Sequence, residues 1–160
     1  MKKLLLLAIL FGGYYLHGRT TFSEAHVMNW LGKHEASAMS GDAAACDDFT
    51  DDLQVSLTAD GARGRWEVEG GKNEMCGYLK QSAAMLTVLQ ASTNSDFDDV
   101  KIVREGFPWT QARVSYRQRT VLRAARVPET TVSSEDELVL VRTPSGLRIK
   151  SVNSSSTGGL

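Results

Sequence analysis

The chain has 160 residues, 42% of them apolar and 23% charged, with a net charge of −1. That suffices for one globular domain with a real core, and it excludes bulk attraction to nucleic acid or anionic lipid. The charge is uneven: residues 20–97 carry 12 acids against 5 bases and residues 98–160 carry 7 against 10, which suits two faces of one domain.

The chain opens "MKKLLLLAILFGGYYLHGRTT". Lys2 and Lys3 precede 13 uncharged residues, Leu4 to Leu16, the layout of an export signal. Thirteen residues make only about 20 Å of helix, and a comfortable span needs about 20 residues. Small residues are missing where cleavage would need them: Phe11 stands at −3 for a cut after Gly13, and Leu16 for a cut after Gly18. Two exported outcomes stay open, beside the plain alternative of a buried N-terminal helix in a cytoplasmic protein. A cleaved signal peptide would leave a periplasmic protein; an uncleaved anchor through residues 4–16 would hold the domain at the inner membrane, with Tyr14 and Tyr15 at the interface. The poor cleavage sites favour the anchor. The expected organisation is residues 1–19 as signal or anchor, 20–153 as a single domain and 154–160 ("SSSTGGL") as a mobile tail.

The next stretch predicts an amphipathic helix. Thr21 and Glu24 form a capping-box pattern, Gly41 is a stop, and Val27, Met28, Leu31, Ala38 and Met39 share one face. Glu24 and Glu35 fall on that face as well, and only Glu24 is explained by the cap. "GDAAACDDF" predicts a short helix with Asp42 as N-cap. "LQVSLTA" alternates as a strand, Asp60–Gly61 reads as a hairpin turn and "RWEVE" as the returning strand. After Gly70–Gly71, "KNEMCGYLKQSAAMLTVLQ" predicts a helix with Met75, Leu79, Met85, Leu86 and Leu89 in its apolar stripe. Gly77 inside it implies close packing against a neighbour. "DVKIVRE", "WTQARVSYRQRTVLR", "TTVSSEDELVLVRT" and "GLRIKSV" then read as four strands, with Pro108, Pro128 and Pro144 between them.

Cys46 and Cys76 are the two cysteines. In an oxidising compartment they can close a disulfide, a loop of about 30 residues worth roughly 3–4 kcal/mol; the alternative is a pair of buried thiols. Without paired histidines they are no zinc signature. No metal and no cofactor is expected. "DDFTD" matches an acidic pattern of terpenoid synthases, but a chain of this length and mixed pattern cannot supply the long helical bundle those enzymes use. The glycine and distal glutamate of an EF-hand are missing too. Asp51 and Asp52 read as a solvated turn and strand start.

This order of elements resembles the nuclear-transport-factor-2-like superfamily, also called ketosteroid-isomerase-like, SnoaL-like or cystatin-like. "FTDDLQVSL" looks like that superfamily's approach to its first strand, and "GGKNEMCGYL" like the start of its third helix. The resemblance covers residues 20–153. It implies an α+β fold: a cone-shaped, curved antiparallel sheet packed on two to three helices, here preceded by an N-terminal hydrophobic helix. Membrane-tethered scaffold subunits of type IV secretion systems are similar in layout. The catalytic positions of the steroid isomerases do not carry over. Their proton-shuttling Asp falls on Leu57, and residues 22–41 offer no Tyr for their oxyanion site.

Candidate functional residues follow from pattern. Glu35 is the one catalytic candidate, a carboxylate pointing into the cone, where burial would raise its pKa; pairing with an Arg is the alternative. His26 and His34 fall off the apolar arc and read as surface residues, and His17 belongs to the membrane-proximal stretch. Arg113, Arg117 and Arg119 alternate against Ala112, Val114 and Tyr116; with Arg148 and Lys150, joined by Arg142, they form a candidate binding face for an acidic protein or lipid headgroup. Nucleic acid is excluded by export, and a homodimer through the sheet is open. The function expected is a non-catalytic, exported, membrane-tethered binding or assembly module of the cell envelope. The alternative is a small-molecule lyase or isomerase working in the cone.

Overall fold

The computed structural model describes residues 2–61, 64–107, 109–125 and 127–158. The elements run α1 (Lys2–Thr21), α2 (Glu24–Ser40), α3 (Ala44–Asp47), β1 (Phe49–Gly61), β2 (Gly64–Gly70), α4 (Lys72–Val88), β3 (Ser92–Glu105), β4 (Gln111–Ala124), β5 (Val127–Thr143) and β6 (Gly146–Gly158). Six strands form one curved open sheet in the order β2-β1-β6-β5-β4-β3. All pairs are antiparallel except β1 with β6. The expected α+β architecture is therefore present, with one parallel pair in an otherwise antiparallel sheet.

Period-two patterning sets the register. On β4, Ala112, Val114 and Tyr116 are buried while Arg113, Arg117 and Arg119 are exposed. Leu138 and Leu140 of β5, Ile149 and Val152 of β6, and Leu53, Val55 and Leu57 of β1 share the inner face. Helix α2 lays Val27, Leu31 and Ala38 onto it. Phe22, Val27, Phe49, Val114 and Leu140 are the largest fully buried side chains, each worth about 1.5–3 kcal/mol relative to exposure.

Helix α2 stops where its φ changes sign. Gly41 has φ 74°, and the Asp42 amide closes back onto the Ser37 carbonyl at 3.0 Å. A Cβ at Gly41 would lie 3.1 Å from the Ala83 Cβ, so α2 and α4 approach closely there. A disulfide joins Cys46 of α3 to Cys76 of α4, with Cα atoms 5.7 Å apart. Helix α4 starts on Glu74, whose carboxylate accepts the Gly71 amide at 2.9 Å and is held below the ordinary carboxylate range by it.

Several expectations are corrected. Thr21 ends α1, where its hydroxyl donates to the His17 carbonyl; Ser23 precedes α2, with no side-chain cap. Asp42 accepts the Ala44 amide at 2.9 Å but lies one residue outside the cap of α3. Asp60 and Gly61 pair with Arg65 and Gly64 in the β1–β2 ladder and so belong to strand β1; residues 62–63 lie outside the described residues. Gly77 has nothing within 4 Å of where a Cβ would stand, so close packing does not explain it. Strand β3 begins at Ser92 and not at the expected Asp99, so it includes a polar run in which no apolar alternation stands out. Pro128 lies inside β5, near the register shift at Leu122/Ala124 and between ladder partners, where a missing N–H removes no pairing. Pro108 lies outside the described residues; Pro144 sits between β5 and β6.

Of the expected tail, residues 154–158 are strand, and residues 159–160 lie outside the described residues. Residues up to Gly158 belong to β6, with Ser154, Ser155 and Ser156 pairing to β1 on one side and β5 on the other. Small polar composition predicts mobility, but a strand laddered on both sides has its backbone satisfied whatever its side chains.

Helix α1 docks by its C-terminal half at the end of the sheet where β3 turns into β4 and β5 into β6. The Arg142 guanidinium lies 4.2 Å from the Tyr14 ring centroid, and Tyr15 packs on Trp109 at 6.1 Å. Arg142 is thus removed from the outer basic row, because its register partner is the buried Leu147. Leu7, Ile9, Leu10, Phe11 and Leu16 of α1 remain exposed. Among the described residues no helix is long and apolar enough to cross a membrane.

Candidate functional site: a cone lined by two carboxyl groups

Between the inner face of the sheet and helices α2 and α4 lies a cavity of about 590 Å³. Its walls are mostly apolar, with Phe49, Leu57, Phe97 and Leu138 from the strands and Leu79 and Leu86 from α4. At its mouth Trp66 and Tyr78 meet at a tilt of 33° with centroids 5.7 Å apart, and Met85 and Leu89 remain exposed.

Polar groups gather on one part of this surface. Glu35 points in from α2, and its Oε1 accepts the Ser95 hydroxyl of β3 at 2.5 Å and the Gln118 amide of β4 at 2.6 Å. Thr120 joins them, 2.8 Å from Ser95 and 3.2 Å from Gln118. Three side chains from two strands thus hold one carboxylate of α2 in a single orientation. Asp136 enters from β5 beside Tyr116 in the register and accepts the Ser134 hydroxyl at 2.6 Å. Burial pushes the Asp136 carboxyl above its ordinary range, against hydrogen bonds from Ser134 and Ser154 that pull it down. Tyr116 is 9% exposed. Its phenol is held well above its ordinary value, first by burial and then by the charges of Asp136 and Glu35. It therefore stays a proton donor at any working pH.

His34 also lines the cavity, which corrects its assignment to the surface. Its Nδ1 lies 2.8 Å from Asp48 Oδ2; the ring stacks on Trp30 at 5.5 Å and meets Phe49 edge-on at 5.4 Å. A polar side chain just off an apolar arc can still be covered by the neighbouring strand, and β1 covers this one. His26 is exposed.

The sequence reading placed Glu35 in the cone but missed Asp136, Gln118 and Ser95. A signal for Asp136 exists: it stands in phase with Leu138 and Leu140, where a charge does not belong unless it is used.

The other aspartates are structural. Asp51 and Asp52 are exposed; Lys72 holds Asp51 at 2.9 Å, and Lys150 lies 3.6 Å from Asp52. The Lys72 hydrogen bond lowers the Asp51 pKa, and a hydrogen bond with Thr50 is the main cause of the lowering at Asp52. No cluster of three potential metal ligands occurs among the described residues.

The outer row of bases is interleaved with acids. Arg113 meets Glu137 at 2.7 Å and Glu105 at 3.4 Å, and Arg117 pairs with Asp99. Arg119 is exposed and stands opposite Asp96 in the β3–β4 register. Arg148 is half-buried, near Asp51. Alternation within one strand reveals its two faces but not what the neighbouring strands place beside them.

Solved structures share this fold. ActVI-ORFA from Streptomyces coelicolor superposes with a TM-score of 0.64 at 15% identity, over 82% of this chain and 93% of that one. The beta subunit of the benzoate 1,2-dioxygenase from Burkholderia mallei gives 0.65 at 11%, over 87% and 92%. An NTF2-like protein with a cystatin-like fold from Novosphingobium aromaticivorans gives 0.62 at 17%, over 96% and 87%. No protein-family model and no curated protein matches the sequence. The fold is NTF2-like, without a specific enzyme family; it hosts enzymes and other proteins alike, so function must be argued from the site.

Proposed function

We propose that this domain is a non-catalytic binding module of the cell envelope that holds a small, apolar-bodied molecule in its cone. The cavity carries the reading: about 590 Å³, apolar over most of its wall, with a few polar groups fixed by hydrogen bonds at one place. Such surfaces bind by burying an apolar body while the polar groups orient it. The test is titration with an environment-sensitive apolar fluorophore, repeated on Ala59→Trp, which fills the cavity from β1. Saturable binding that the variant abolishes supports the reading; binding that ignores the substitution removes it.

The same proposal puts the domain at a membrane through α1. Lys2 and Lys3 precede the apolar run, and among its described residues Leu7, Ile9, Leu10, Phe11, Tyr14, Tyr15 and Leu16 are exposed. About 20 Å of helix enters one leaflet without crossing the bilayer. Co-flotation with vesicles that is lost on deleting residues 2–16 is the expected result. A truncated protein that floats equally well would remove the tether.

A second reading, a lyase or isomerase, is favoured by one observation: Glu35, Asp136 and the buried Tyr116 line the same cavity, with Tyr116 and Asp136 opposite each other in the register. Two carboxyl groups and a phenol suit proton removal beside a carbonyl whose oxygen the phenol holds. Deuterium uptake from solvent into a bound ketone, lost in Asp136→Asn, would separate it from simple binding.

A further inference from the structure

We propose that the cone takes an organic cation: an ammonium group on an apolar, ring-containing body. This rests on the binding reading above and names its ligand class. Among the described residues that line the cavity there is no Lys and no Arg, while two carboxyl groups open onto it. The titratable lining groups are His34 and Glu35 from α2, Tyr78 from α4, Tyr116 from β4 and Asp136 from β5. His34 adds no net positive charge, because a protonated ring is balanced by Asp48 at 2.8 Å. The cavity is therefore negative, in an enclosure where charge is screened less than in water.

Both carboxyl groups have capacity left. Ser95 and Gln118 occupy Oε1 of Glu35 and leave its Oε2 for a ligand, while Asp136 accepts from Ser134 and Ser154 and keeps lone pairs beyond those two bonds. The Tyr116 side chain is nine-tenths buried, and its hydroxyl makes no hydrogen bond among the described residues. It offers a further oxygen to an N–H donor. Aromatic rings line the rest of the wall: Phe97 meets Tyr116 edge-on at 5.4 Å, and Trp66 packs at a tilt against Tyr78 at the mouth. Ring faces attract cations. Carboxylates, ring faces and an absence of competing bases suit an ammonium and oppose an anion.

Occupancy is linked to pH. Burial keeps a proton on Asp136 above the ordinary carboxylate range. An ammonium favours the charged carboxylate and releases that proton to solvent. Affinity for the cation therefore rises with pH through the raised Asp136 value and falls on acidification.

The experiment is calorimetric titration at neutral pH with three probes of one shape: naphthylmethylammonium, naphthylmethanol and naphthoate. The ammonium should bind about tenfold tighter than the alcohol, and the carboxylate weakest. The double variant Glu35→Gln/Asp136→Asn, its fold checked by circular dichroism, should bind the ammonium no tighter than the alcohol. Equal affinity for ammonium and alcohol, or tighter binding of naphthoate, overturns the cation and leaves the cavity reading standing. Failure of all three probes overturns both. An ammonium preference that survives the double variant puts the cation elsewhere and overturns this site.

Discussion

Glu35 and Gln118 are 83 positions apart in the chain, and their side chains meet at 2.6 Å across the cone. The contact ties α2 to β4, and Ser95 extends it to β3. Glu35→Ala leaves a buried amide and a hydroxyl without their acceptor, which costs about 1–3 kcal/mol. Urea denaturation should show that loss, with Glu35→Gln recovering part of it. An unchanged midpoint for the alanine variant would mean the network carries no stability.

Reduction of the Cys46–Cys76 disulfide should destabilise the fold. The cysteines are 30 positions apart, and closing such a loop is worth roughly 3–4 kcal/mol in the chain-entropy model. Thermal melts with and without reductant should differ, and the double serine variant should melt like the reduced protein in both. A melting temperature indifferent to reductant would show that the bond does not form in solution.

Asp136 predicts a pH effect of definite sign. Its folded-state pKa is raised by burial, so the folded protein binds this proton more tightly than the unfolded chain. Its stabilising contribution is full below the unfolded value and is lost as pH rises through the folded one. Asp136→Asn should therefore melt higher than the native protein at neutral pH, and the difference should vanish below the ordinary carboxylate range. A variant that melts lower at neutral pH would mean the Ser134 and Ser154 hydrogen bonds outweigh the burial of charge.

Reversal of Arg113, Arg117 and Arg119 to Glu should lower the melting temperature at low ionic strength. Strand β4 alone predicts a tolerant surface, but Glu105, Glu137 and Asp99 lie beside these arginines. Reversal therefore replaces attraction with crowding of like charge. About 1 M salt should restore much of the loss, because the Debye length there is about 3 Å. Alanine at the same positions should change little. A reversed protein that melts as the native one at low salt would show that these pairs do not form.

The fold was legible where burial is periodic. Val27, Leu31 and Ala38 mark α2, and Ala112, Val114 and Tyr116 mark β4; both patterns arise because one face meets the core. The first half of β3 and the last residues of β6 were not legible. "STNSDFD" and "SSSTG" carry few apolar residues, and these segments are strands because of their partners, which local pattern does not contain. The site divides the same way. Glu35 stands out as a charge on an apolar helix face, whereas Gln118, Ser95 and the His34–Asp48 pair depend on which strands lie side by side.

Strand β6 sits between β1 and β5. When a ribosome makes this chain, the helices and β1–β2 emerge as one group and β3–β4–β5 as another. The two parts of the sheet cannot be joined until residues 146–158 have cleared the exit tunnel, because β6 lies between them. Until then both inner faces and two unpaired strand edges are open to water and to other chains. A late strand inserted at the centre of a sheet also means contacts of large sequence separation, which slow folding. Cellular yield should therefore depend on what shelters the half-made sheet, and on how soon β6 arrives, more than on the stability of the finished domain.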